Sequence, residues 1–258
     1  PTAMTLAGGR LYVANRFDDT VSVIDPNRPA VIGSLALGPK NTPTTVETGE
    51  ALFYDARLSL DGWFSCHSCH TDGHSNGLAN DNFGDETFGT PKQIPSLLGV
   101  GRTGPWGWLG NKPTLEAQIT ASVATTLHGK PLTPKQTGAL AAYLRTLPPP
   151  PPVIETEGDD DQPAIRRGRK LFDRLQCADC HKPPTWTSDK THKVDFTDEA
   201  GRNRFNPPSL LGVSRRRRLL HDGRAIGLKH LFSTLGHEQT RQLNRQEVDD
   251  LITFLKTL

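Results

Sequence analysis

Apolar residues recur along this chain in two rhythms. Near the start they alternate with polar ones. Residues 11–15 and 21–25 form two β-rich runs joined by a short polar turn, and residues 30–37 form a third. Further on the rhythm is helical. Thr133, Pro134 and Gln136 have the form of a capping box with Pro at the first helical position, and Leu140, Tyr143, Leu144 and Leu147 follow as an apolar stripe. Asn244 and Glu247 open a second helix of the same kind, striped by Val248, Leu251, Ile252 and Leu255.

The helical rhythm belongs to an internal repeat. The hexapeptide PSLLGV stands at residues 95–100 and again at 208–213. GEALFYD, residues 49–55, matches GRKLFD, residues 168–173. Trp108 and His221 fall at one common offset from their hexapeptides, and Leu115 and Leu228 at another. One unit therefore occurs twice: helix, Cys-x-x-Cys-His, long loop, PSLLGV, turn, helix, helix. Five prolines, residues 148–152, separate the copies and predict an extended, semi-rigid spacer. The acidic run at 155–161 reads as solvated loop. The expected architecture is mainly α, with a β segment at 1–40, a first domain at 41–147, a linker at 148–162 and a second domain at 163–258. The β segment resembles one repeat of the YVTN β-propellers. One such repeat cannot bury its own face, so either most of a propeller is missing or the segment packs on the domains that follow.

Composition narrows the class. Thirty basic and 28 acidic residues leave a net charge of +2, which shows no nucleic-acid footprint. No apolar run is long enough to span a membrane. The chain begins at Pro1 without a Met, as a processed or excised piece would. With 24 Gly, 21 Pro and 34% hydrophobic residues, thin cores that need a staple are expected, and a covalent cofactor is one such staple.

The four cysteines form two pairs, Cys66/Cys69 and Cys177/Cys180, followed at once by His70 and His181. Cys-x-x-Cys-His reads as a c-type haem attachment site: two thiols for the haem vinyl groups and a histidine for the iron. A zinc site, a redox dithiol or a disulfide explains the cysteines but not a histidine after each pair. The pentad occurs twice, so haem is the favoured reading. His67, at a free position inside the first pentad, is expected to face solvent.

From residue 50 onward the chain resembles the bacterial di-haem cytochrome c peroxidase family, MauG-type enzymes included. The likeness lies in GEALFYDARLSLDGWFSCHSCH, RTGPWGWLGNKPTLEAQ and PPSLLGVSRRRRLLHDGRAIGL. Together with the β segment it is similar to the propeller-fused branch. The resemblance implies two mainly helical cytochrome c domains with covalent haems facing a shared interface. It implies peroxide reduction at the first haem, with electrons relayed through the second from a small cytochrome or cupredoxin. It also implies periplasmic or otherwise exported location, a calcium ion between the domains and a homodimer. An electron-transfer cytochrome without peroxidase activity and a MauG-type oxidase are the rival readings.

Catalytic roles in this family fall on Glu116 and Gln118 in TLEAQ and on Trp108, which lies where a tryptophan sits between the haems; Trp106 reads as packing. Where the family has WDGRA, the first unit has WLGNK, with Leu109 and Asn111 in place of the acid and the arginine. The one methionine, Met4, lies in the β segment, and no tyrosine lies in the second unit. His237 is therefore the expected second ligand of the His181 iron. His128 is the analogous candidate at the His70 iron, if that position is not open. Arg224 of HDGR is expected to meet a haem propionate. Residues 215–218, RRRR, read as a solvated face, and His74, His192 and His230 as structural or exposed.

Overall fold

The computed structural model describes residues 2–39, 42–155 and 162–258. The acidic run beyond Glu155 lies largely outside the described residues. The chain divides into two compact units, Pro1–Thr44 and Thr45–Leu258.

The first unit is an antiparallel meander of β1 (Ala3–Ala7), β2 (Arg10–Asn15), β3 (Thr20–Asp25) and β4 (Ala30–Ala36), hydrogen-bonded in that order. The three predicted runs are β2 to β4. The sequence did not announce β1, because all five of its residues are exposed and no burial alternation marks it. Pairing with β2, Leu6 opposite Leu11, makes it a strand. Asn15 closes the turn between β2 and β3 by donating to the Thr20 and Ser22 hydroxyls. Val23 is the one buried apolar side chain among the unit's described residues, while Met4, Leu6, Val31 and Leu35 stay exposed.

The second unit holds the repeat. Its first copy contains α1 (Thr45–Tyr54), α2 (Cys66–Cys69), α3 (Leu115–Thr125) and α4 (Pro134–Thr146). Its second copy contains α5 (Pro163–Arg174), the short α6 (Gly227–His230), a π-helical turn at Leu231–Leu235 and α7 (Arg245–Leu255). Both predicted capping boxes form, Thr133 with Gln136 and Asn244 with Glu247. Each copy has its own core. Phe53, Leu115 and Leu140 anchor the first; Ile165, Phe172 and Leu251 anchor the second.

The copies share two devices. α1 crosses α4 at Gly49, and α5 crosses α7 at Gly168, so closely that a Cβ would collide with the carbonyl oxygens of Ala139 and Asp250. Each hexapeptide is also tied to the end of its own copy: Gly99 N–H donates to Leu147 O (3.1 Å), and Gly212 N–H to Leu258 O (2.9 Å).

The copies also bind each other by one reciprocal exchange. The residue two before each hexapeptide donates its backbone N–H to the residue at the Trp108/His221 offset in the other copy. Gln93 N–H reaches His221 O at 2.6 Å, and Asn206 N–H reaches Trp108 O at 2.8 Å. The proline linker is tied to both copies. Pro149 and Pro150 pack against Gly99 and Gly212, and Arg215 donates to the Pro151 and Pro152 carbonyls at 2.8 and 3.0 Å. Among the described residues no helix is long and apolar enough to cross a membrane.

Replacing Gly168 with Ala tests the helix crossing. In an open helix the change would stabilise by about 1 kcal/mol. At this crossing the overlap should reverse the sign and cost about 1–3 kcal/mol, seen as a lower midpoint in chemical unfolding. A neutral or stabilising result would show that the helices are not pressed together here.

Candidate functional site

The first pentad is held by a single helical turn. Ser65 N–H donates to the Ser68 hydroxyl at 3.0 Å, and His70 N–H closes the turn on Cys66 O at 2.9 Å. This turn places Cys66, Cys69 and His70 on the wall of a cavity of about 330 Å³. The hexapeptide orients the histidine: His70 Nδ1 lies 3.0 Å from Pro95 O, so it carries the proton and Nε2 keeps its lone pair. Burial pushes His70 below the ordinary imidazole value and keeps it neutral. Burial also pushes the Cys66 thiol up to about 11.

The second pentad repeats this logic. His181 N–H bonds Cys177 O at 2.9 Å, and His181 Nδ1 lies 3.2 Å from Trp186 O. Burial, then the neighbouring His237 imidazole, push His181 down to about 4, against bonds to the Trp186 and Pro208 backbone. Burial pushes the Cys177 thiol up to about 12. All four cysteines are free. Among the described residues no group of three or more His, Cys, Asp or Glu side chains could hold a metal ion, so the two pairs do not meet as a zinc site. Thiols kept protonated are also poor redox nucleophiles.

His237 follows the π-helical turn and Gly236, whose φ is +72°. Its ring stacks on Phe196, with centroids 6.3 Å apart and planes 7° from parallel. Its Nδ1 is buried with no hydrogen-bond partner. A nitrogen orphaned beside His181 is what a ligand to the same iron would leave behind.

Not every expected residue reaches the first cavity. Gln118 and Trp108 line it, as do Leu109 and Asn111. Gln118 Nε2 donates to Ser122 Oγ at 3.0 Å, and Trp108 Nε1 to Gln93 O at 2.8 Å. Glu116 is not in the lining. It sits in the first turn of α3, and Arg145 of α4 binds its carboxylate at 2.7 Å, which holds it below the ordinary carboxylate value. His128 is exposed on left-handed backbone (φ +49°), and its neighbour Leu127 lines the cavity instead. Among the described residues no histidine, methionine or tyrosine other than His70 lines the cavity. Trp106 packs on the first core, with Nε1 bonded to Val100 O at 3.1 Å.

The arginines also depart from expectation. Arg224 is engaged by the Asp222 carboxylate and by Thr197 O at 2.9 Å, and it lies over the Phe196 ring. The RRRR run is not one solvated face, because Arg216 turns inward and lines the first cavity. The other histidines are bound locally: His67 to Asp72, His74 to Ser96, His192 to Ser188 and His230 to the Ile226 N–H. His221 is buried, stacked on Phe205 at 4.2 Å, with Nε2 unpartnered.

A charge cluster lies where the copies meet. Arg202 of the second copy bonds Asp85 of the first at 2.7 Å and Asp198 at 2.8 Å. Lys92 of the first stands 3.3 Å from both carboxylates. Burial alone would raise Asp85 and Asp198. Hydrogen bonds outweigh it: Thr90, Lys92 and Thr87 at Asp85, Arg202 and Lys92 at Asp198. Both carboxyls are held below the ordinary value. These carboxylates are already matched by side-chain cations, so the cluster does not offer the expected calcium a ligand set. Residues of the long loops between pentad and hexapeptide build it, and no sequence signal pointed to them.

A family model described as di-haem cytochrome c peroxidase matches residues 43–148. The cytochrome c551 peroxidase of Nitrosomonas europaea is 26% identical over 86% of this chain and 82% of its own length. The methylamine utilization protein MauG of Methylorubrum extorquens is 28% identical over 84% of this chain and 78% of its own. Among solved structures, Kuenenia stuttgartiensis hydrazine synthase superposes with a TM-score of 0.77 at 21% identity, over 90% of this chain and 100% of the matched one. Together these matches show a chain similar to the di-haem cytochrome c peroxidases and MauG proteins. The chain is a cytochrome c peroxidase-like oxidoreductase, and the likeness implies c-type haem as cofactor. The residues present fit two such haems. Cys66 and Cys69 would hold one with His70 on its iron. Cys177 and Cys180 would hold the other, with His181 and His237 as the residues that could reach its iron.

Arg202→Gln should destabilise the protein by about 3–5 kcal/mol near neutral pH, because it strands buried Asp198 beside a shared lysine. Carboxyls with depressed folded pKa contribute stability above their unfolded value and lose it as pH falls through the folded one. Wild type and variant should therefore converge below about pH 4. Urea unfolding across pH checks this, and a pH-independent gap would show that the pairs are not the cause.

Proposed function

We propose that this chain is an exported di-haem c-type cytochrome that reduces hydrogen peroxide at the His70 haem with electrons relayed from the His181 haem. The observation that carries the reading is an asymmetry between two copies of one unit. His237 neighbours His181, whereas His70 opens on a cavity lined, among the described residues, by no second histidine, methionine or tyrosine. One closed and one openable iron suit relay and reaction respectively. Each peroxide takes up two electrons and two protons and leaves as two waters, the electrons coming from a small cytochrome or cupredoxin donor. The haems supply the redox iron when bound.

The chain's own residues orient and position. Gln118 and Ser122 offer hydrogen bonds on the cavity wall. Trp108 is fixed at the junction of the copies by its indole N–H and its carbonyl, which supports a bridging role between the haems. The four-stranded meander supports reading the β segment as one propeller repeat.

A pure electron-transfer cytochrome is the second reading. Glu116 favours it, because that carboxylate is bound to Arg145 and leaves the cavity without the expected acid.

EPR of the holoprotein separates the two, recorded fully oxidised and after one electron equivalent. Peroxide chemistry predicts a high-spin ferric signal in at least one state. His237→Ala should convert the second haem from low to high spin and leave the first unchanged. Two low-spin signals at the start, only low-spin ferric iron after one electron and no peroxide turnover would establish electron transfer instead.

A further inference from the structure

The first cavity is not built by the first copy alone. Asn206, Pro207, Pro208, Ser209 and Arg216 of the second copy line it together with Cys66, Cys69 and His70. Arg216 is the charged member of that wall, and its state there is unusual. Its Nε is buried with no hydrogen-bond partner, and its one bond, from Nη2, goes to the backbone carbonyl of Leu211 at 3.1 Å. Among the described residues no carboxylate pairs with it. Asp85, the acidic residue in the lining, is already held by Arg202 and Lys92. Its neighbours in the run face elsewhere: Arg215 bonds the linker carbonyls, Arg218 the Gly223 carbonyl, and Arg217 is exposed. Burial without a counter-charge costs Arg216 enough to push even a guanidinium down to about 10.

A half-buried cation whose Nε is enclosed without a partner, on the wall of a cavity, calls for an anion that enters with the occupant. A c-type haem brings two carboxylates, its propionates. We propose that Arg216, contributed by the second copy, anchors a propionate of the haem carried by the first. The role expected of Arg224 thus passes to a residue that has no counter-ion of its own. The repeat gives the assignment a direction, because the first copy has Thr103 at the offset of Arg216, so the contact is not returned by an equivalent arginine. Seating the first haem then requires the second copy to be folded against it. This rests on the haem reading of the first pentad.

The test uses holoprotein with both haems matured, as wild type, Arg216→Gln and Arg216→Lys. Pyridine haemochrome counts covalent haem, and this count tests the haem reading by itself: fewer than two haems in wild type would undo that reading, not only this proposal. With two haems present, spectroelectrochemical titration should show the His70 haem potential shifted down in Arg216→Gln, because a cation beside the porphyrin favours ferrous iron. The Lys variant should restore part of the shift, and the His181 haem should not move. The inflection in potential against pH that reports propionate ionisation should rise in the Gln variant. Unchanged potential and pH profile in fully loaded Arg216→Gln would overturn the proposal. So would a shift confined to the His181 haem, or a shift given instead by Lys112→Gln, the other lining cation without a paired acid. If Arg216→Gln does not accumulate, the propionate bending bands in the resonance Raman spectra of wild type and Arg216→Lys decide. Bands of a hydrogen-bonded propionate that weaken in the Lys variant support the anchor, and bands of a free propionate in wild type refute it.

Discussion

The two halves of this protein are held to each other by a reciprocal pair of backbone hydrogen bonds, Gln93 to His221 and Asn206 to Trp108. Everything at the site depends on that exchange. Each donor stands two residues before its hexapeptide, and each hexapeptide holds the pentad histidine of its copy, the first through Pro95 O on His70 and the second through Leu210 N–H on the Trp186 carbonyl that also meets His181. Registering the halves on these bonds therefore registers the two pentads too. Backbone bonds suit the task because they do not depend on side-chain identity. Trp108 and His221 can diverge while their carbonyls keep the same duty. The charge cluster of Asp85, Lys92, Asp198 and Arg202 seals the same junction. It is directional and buried, and a small displacement would leave a charge without its partner.

Around that frame a duplicated unit has become two different sites. The first copy follows its hexapeptide with an eleven-residue helix whose inner face, Gln118 and Ser122, borders a cavity. The second has a four-residue helix that widens into a π-helical turn and ends at Gly236. That turn delivers His237 to the neighbourhood of His181. Glycine at a φ of +72° permits the change of direction that the imidazole needs. The structural difference between the halves thus follows from how one helix ends.

The cores are small, and the structure compensates with ties. Glycine crossings press α1 on α4 and α5 on α7, so that backbone meets backbone where larger side chains would hold the helices apart. The prolines between the copies are bound by both and act as a strap. The cavity wall shared by the two copies gives a covalent cofactor a similar role, since a group seated there would touch both halves.

The sequence by itself determined what is local or repeated. Cys-x-x-Cys-His points to its chemistry because two thiols and a histidine within five consecutive residues are what one covalent porphyrin would need. The capping boxes at Thr133 and Asn244 and the apolar stripes behind them appear as read, because they depend on spacing along a single helix. The repeat exposed the shared unit, and the lack of a usable methionine or tyrosine singled out His237. Tertiary structure alone decided the rest. Glu116 and Gln118 are near neighbours on one helix, yet α4 offers Arg145 to the first and leaves the second to the cavity. Of four consecutive arginines one points inward, because backbone direction at that turn, not composition, selects it. His128 and His237 occupy similar loops, but only His237 is turned inward, while His128 stays exposed. Such outcomes are set by contacts between residues far apart in the chain, whose energies no local pattern encodes.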